Sequence, residues 1–110
     1  MTRDEMEDRI IRTAVHELID DHGLRLSVDL AGDDYELDRS NDPDAVMAAM
    51  AGAREMILIP IKANHPVGWL HFVRGHEGDV GHEVMWDMTV GLEPYLQETR
   101  ALIQTYKEQA

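Results

Sequence analysis

Leu24-Arg25-Leu26-Ser27-Val28-Asp29-Leu30 alternates apolar and polar residues, Ala31-Gly32-Asp33-Asp34 interrupts the pattern, and Tyr35-Glu36-Leu37-Asp38 takes it up again. Side chains point to opposite faces in turn along a strand, so a period of two marks a strand with one buried face. Glycine and aspartate between the two halves supply turn chemistry. The segment predicts a hairpin in which Leu24, Leu26, Val28 and Leu30 face a core and Arg25, Ser27 and Asp29 face away from it.

On the N-terminal side of this hairpin the period changes. Met6, Ile10, Ile11, Ala14, Val15, Leu18 and Ile19 recur at spacings of three and four, which predicts an amphipathic helix over residues 4–22 with Gly23 as its stop. Asp4, Glu5, Glu7 and Asp8 fall in its first turns, where the positive end of the helix dipole favours negative charge.

On the C-terminal side, Ser40-Asn41-Asp42-Pro43 offers capping oxygens and a proline suited to a first helical turn, predicting a second, alanine-rich helix to about Ala53. Met56 to Ile61 is apolar on both faces, as a central strand requires, and Pro60 predicts a bulge or strand end there. A turn at Asn64-His65-Pro66 leads to a partner strand over 67–74, with Trp69 expected in the core. Leu92, Leu96, Leu102, Ile103 and Tyr106 then keep helical spacing to Lys107, with Pro94 in the first turn.

The expected fold is α+β: an antiparallel four-stranded sheet with three helices, in the order α-β-β-α-β-β-α, forming a single domain over residues 1–110. A chain of this length buries about two-thirds of its unfolded surface, enough for one core. With only one Phe, two Trp and three Tyr, that core is aliphatic, filled out by methionine.

Composition narrows the function classes. The absence of cysteine removes disulfides, thiolate metal sites and cysteine nucleophiles, and fits a cytoplasmic, reducing environment. The charged N-terminus and the short apolar runs argue against secretion and membrane spanning. A net charge of −12 repels nucleic acid and anionic lipid, so neither is an expected direct partner. Residues 1–44 hold 14 acids against 5 bases, so −9 of that charge lies in this part of the chain.

No catalytic motif stands out. Ser27 and Ser40 are the only serines and lack glycine-flanked elbows, and no phosphate-cradling glycine loop is present. His71, His76, Glu77, Asp79, His82, Glu83 and Asp87 gather metal-ligating side chains within 71–87, yet His82-Glu83-Val84-Met85-Trp86 lacks the second histidine that a zinc-protease helix places four residues on. Neither a metal nor a cofactor is expected, and a small metal-dependent enzyme using this loop is the alternative reading.

The more distinctive feature is acidic. Asp29, Asp33, Asp34, Glu36, Asp38, Asp42 and Asp44 fall within sixteen residues, relieved only by Arg39. On an extended strand Glu36 and Asp38 would stand about 6.8 Å apart on one side, a row of anions with a spacing that phosphate-binding arginines can engage.

Ser40-Asn41-Asp42 opening the alanine-rich helix, Val67-Gly68-Trp69 in a strand, and Gly78-Asp79-Val80 followed by Asp87, Thr89 and Leu92-Glu93-Pro94 give residues 40–95 a resemblance to small uncharacterised accessory proteins of phages and plasmids. The resemblance implies a stoichiometric binder of a host protein. Joined to the acidic residues, it leads to the expectation of a non-enzymatic inhibitor that binds a basic nucleic-acid-binding host protein, as an anti-CRISPR or antirestriction mimic does. The chain would act as a monomer or homodimer; a homodimeric structural module is a further alternative.

Overall fold

The structure is a computed structural model that describes residues 2–30, 35–75 and 85–109, with the backbone alone at Trp86 and Asp87. Helix α1 (Arg3–His16) begins at Thr2, whose hydroxyl oxygen accepts the Glu5 N–H at 3.2 Å. It continues into a π-helical turn (Glu17–Asp21) that ends at Gly23, in the left-handed region at φ +66. Glu17, Leu18 and Ile19, three successive residues of this turn, are 3%, 0% and 7% exposed. A regular α-helix of 3.6 residues per turn spreads three successive side chains over most of its circumference.

Strand β1 (Arg25–Asp29) pairs antiparallel with β2 (Leu37–Ser40) on one side and with β3 (Glu55–Lys62) on the other. Helix α2 (Pro43–Met50) connects β2 to β3, with Asp42 as its N-cap. Beyond β3 come the two-residue β4 (His65–Pro66), β5 (Leu70–Val73) and β6 (Met85–Met88). A 3₁₀ segment (Val90–Tyr95) and helix α3 (Gln97–Gln109) complete the order. The sheet runs β2-β1-β3-β5-β6, with β4 paired to β3, and every pairing is antiparallel.

The fold is therefore α+β with an antiparallel sheet, but it has more strands than expected. Residues 85–88 form a strand beside β5, where sequence periodicity predicts none. The partner strand expected over 67–74 is split at Gly68: Val67 donates its N–H to the Pro60 carbonyl at 2.9 Å, and regular pairing resumes at Leu70 opposite Leu58. Pro60 does not end β3, which continues to Lys62. A residue's nitrogen and carbonyl point to the same side of a strand, so the proline's missing donor faces the split around Gly68, where the ladder is already interrupted. The turn lies at Ala63 and Asn64, both at positive φ (51 and 66), as a tight two-residue hairpin loop requires. At the C-terminus, Pro94 sits in the 3₁₀ segment, and α3 begins after Leu96.

One face of the sheet carries the core. Leu26, Val28, Met56, Leu58, Leu70 and Phe72 are fully buried at alternate positions of β1, β3 and β5. They form one cluster with Ile10, Ile11, Ala14, Val15 and Leu18 of the first helix, Val46 and Met50 of α2, and Leu96 and Ile103 at the other end of the chain. The opposite face carries Asp29, Ile57 and His71 in register across three strands. Trp69, adjacent to inward-facing Leu70, belongs to this outer face and is 41% exposed. It is not a core residue, contrary to the sequence expectation.

Candidate functional site

The acidic residues are arranged around a defect in the β1–β2 pairing. Leu26 pairs with Ser40 and Val28 with Leu37, so Asp38 and Arg39 together oppose the single residue Ser27. Two residues against one is a β-bulge. Arg39 absorbs the extra length by adopting φ 52. Ser27 is completely buried; its hydroxyl donates to Asp38 Oδ1 at 2.8 Å and accepts the Arg39 N–H at 3.0 Å. The alternating pattern marks Ser27 as solvent-facing, but the bulged strand covers it.

This geometry gives each acid a distinct place. Asp38 is held by Ser27 and lies 3.7 Å from Arg39 Nε, with its side chain 57% exposed. Asp29 ends β1, half-buried and opposite Ile57. Glu36 is exposed just before β2, its N–H donating to the Val28 carbonyl at 2.8 Å. The regular Glu36–Asp38 row expected from strand spacing is not formed, because β2 starts at Leu37 and bulges immediately. Asp42 accepts the Asp44 N–H at 3.0 Å as the α2 cap, and both aspartates are exposed. Asp33 and Asp34 lie outside the described residues.

Two further carboxylates, overlooked in the sequence, are buried on α1 and its π-helical extension. Glu7, 1% exposed, accepts the Gly75 N–H at 2.9 Å and ties the helix to the end of β5. Beside it, Arg74 Nη1 pairs with Asp8. Glu17 accepts the Glu98 N–H at 3.0 Å and both the N–H and the hydroxyl of Thr99 at 2.5 Å, so it caps the start of α3. Sequence position places Glu7 among the dipole-favoured acids of the first turns, but gives no sign of its distant partner.

Glu17, Asp21 and Glu98 bring one carboxylate oxygen each within 4.8 Å of one another, a spacing open to a cation. Glu17 already uses both oxygens to cap α3, and the other two residues are exposed. The cluster is accounted for by the cap.

Of the histidine-rich stretch, His76, Glu77, Asp79, His82 and Glu83 lie outside the described residues. His71 Nε2 is 2.7 Å from Glu55 Oε1, across the β3–β5 pairing, and the backbone of Asp87 stands opposite His71 in β6. The clefts bordered by described residues are open and mixed in charge. One of about 770 Å³ brings Arg12, Arg54 and Arg74 against Asp4, Glu7 and Asp8. Such a lining favours no single ligand charge.

Comparison of the chain with family models, with curated proteins and with solved structures finds no match. Among the described residues, no helix is long and apolar enough to cross a membrane.

Proposed function

We propose that this chain is a non-enzymatic binding protein whose acidic hairpin engages a basic, nucleic-acid-binding surface of another protein, in the manner of an anti-CRISPR or antirestriction nucleic-acid mimic. The observation that carries the reading is the Ser27-centred bulge, which fixes Asp38 at the surface, two residues along the chain from Glu36 and four from the α2 cap Asp42. A side chain held before binding loses less entropy on association than a free one. The uneven distribution of charge adds a field that steers a basic partner toward the N-terminal half of the chain. The assignment to a mobile element rests on the sequence resemblance over residues 40–95, and the cytoplasmic setting on the lack of cysteine.

The test is capture from host lysate on the immobilised protein, with elution in steps of salt. The account predicts a nucleic-acid-handling protein that is retained at low salt and released at high salt, because exposed charge pairs are screened. Absence of any salt-sensitive partner argues against it.

A further inference from the structure

The outer face of the sheet is apolar where it adjoins the acids. Ser27, which holds Asp38, pairs with Ile59, and Asp29 pairs with Ile57. Ile57 and Ile59 alternate along β3 with the buried core residues Met56 and Leu58, so they form the outward row; Ile61, next along it, is buried. Ile57 and Ile59 are half-buried. One step beyond the Leu58–Leu70 pair, the alternation of a strand puts exposed Trp69 on the same face as Ile59. His71 and half-buried Val73 continue the face along β5, with Glu55 bonded to His71 at its margin. The isoleucine row and the acidic bulge are thus adjacent parts of one surface.

We propose that this outer face, centred on Ile59 and Trp69, is the anchoring half of the docking surface, and that its occupant is a protein segment carrying apolar side chains interleaved with lysine or arginine. The proposal rests on the binding role proposed above and specifies the chemistry of the partner. Charge decides among occupants. Asp29 and Asp38 border the apolar row at the Ile57–Ile59 end, with Arg39 Nε 3.7 Å from Asp38, whereas Arg25 stands opposite Ile61 at the other. A segment fits when its cations lie beside Asp29 and Asp38 and its apolar side chains cover Ile59 and Trp69. An apolar lipid surface would have to desolvate those carboxylates, and a nucleic acid would meet them as like charges. Charged pairs at a rim guide encounter, while desolvated aromatic and aliphatic anchors supply most of the affinity.

Three fluorescent ten-residue peptides test this by anisotropy on the full chain: alternating Leu-Lys, alternating Ser-Lys and alternating Leu-Glu. The expected result is that Leu-Lys binds at least tenfold more tightly than either of the others, and that Trp69→Ala reduces its advantage over Ser-Lys to within twofold. Ile59→Glu is predicted to do the same; should that variant fail to fold, the wild-type peptide comparison and Trp69→Ala decide alone. Equal binding of Leu-Lys and Ser-Lys overturns the apolar anchor while leaving the acidic binding role intact. Equal binding of Leu-Lys and Leu-Glu, or no binding of either lysine peptide, overturns the proposal and counts against the acidic role as well.

Discussion

Ser27 and Asp38 are joined at 2.8 Å across the β1–β2 bulge, and this bond links the fold to the proposed binding surface. The serine is buried and the aspartate exposed, so the bond fixes a surface charge from beneath. Ser27→Ala removes both the donor to Asp38 and the acceptor for the Arg39 N–H. Leaving buried polar groups unpaired costs about 1–3 kcal/mol each at most, and part of the loss is recovered by water at an exposed partner. A destabilisation of about 1–2 kcal/mol is expected in urea unfolding, together with chemical-shift changes confined to residues 36–40.

The exposed acids divide into those the fold uses and those it does not. Asp42 caps α2, so Asp42→Ala is expected to cost about 1 kcal/mol of stability, read as a lower urea midpoint. Glu36 has an exposed side chain in the segment before β2, and Glu36→Lys is expected to leave the midpoint within about 0.5 kcal/mol of wild type. A loss of partner binding in Glu36→Lys at unchanged stability would identify it as a contact residue.

Glu17 and Thr99 are 82 positions apart and meet where the π-helical turn faces the start of α3. Glu17→Ala leaves the Glu98 and Thr99 N–H groups and the Thr99 hydroxyl without that acceptor, at a cost of about 2–4 kcal/mol. Glu17→Gln retains an acceptor oxygen and is expected to recover part of the loss. Hydrogen exchange at the Thr99 amide distinguishes the two: protection falls sharply in the alanine variant and less in the glutamine variant.

Gly68 has a backbone φ of +155, and a Cβ built on it would stand 2.8 Å from the Thr89 Cβ. The contact is with a side chain fixed by its own bonds, since Thr89 Oγ1 accepts the Trp69 N–H at 3.1 Å and its N–H reaches the Trp69 carbonyl at 3.0 Å. Gly68→Ala is expected to destabilise by about 1–3 kcal/mol, seen as a drop in Tm, with the largest shift changes at residues 67–70 and 88–92.

Periodicity made much of this fold legible in advance. Three-and-four spacing marked the first helix, alternation marked β1, and Asp42-Pro43 marked the start of α2, because each signal is local. The features that position the candidate site are not local. Ser27 alternates as a solvent-facing residue, yet it is buried and bonded to Asp38 and to the Arg39 N–H of the bulged partner strand. Glu7 and Glu17 belong to an ordinary amphipathic pattern, and their burial depends on Gly75 and on Glu98 with Thr99, brought near by the sheet and by α3. A tryptophan on a strand is more often a core residue, but Leu70 and Phe72 take the inward positions on β5 and Trp69 is 41% exposed. Residues 85–88 lack a clear alternation, and their strand is defined by pairing with β5.

The central claim is that the acidic hairpin occupies a nucleic-acid-binding surface of its partner. The most direct measurement is competition: a labelled DNA or RNA ligand is bound to the captured partner, and wild-type chain or an Asp29→Lys, Glu36→Lys, Asp38→Lys triple variant of confirmed fold is titrated in. The account predicts that the wild-type chain displaces the nucleic acid with a midpoint that rises with salt, and that the triple variant displaces it at least tenfold less effectively. Simultaneous binding of chain and nucleic acid, or equal displacement by the triple variant, would contradict it.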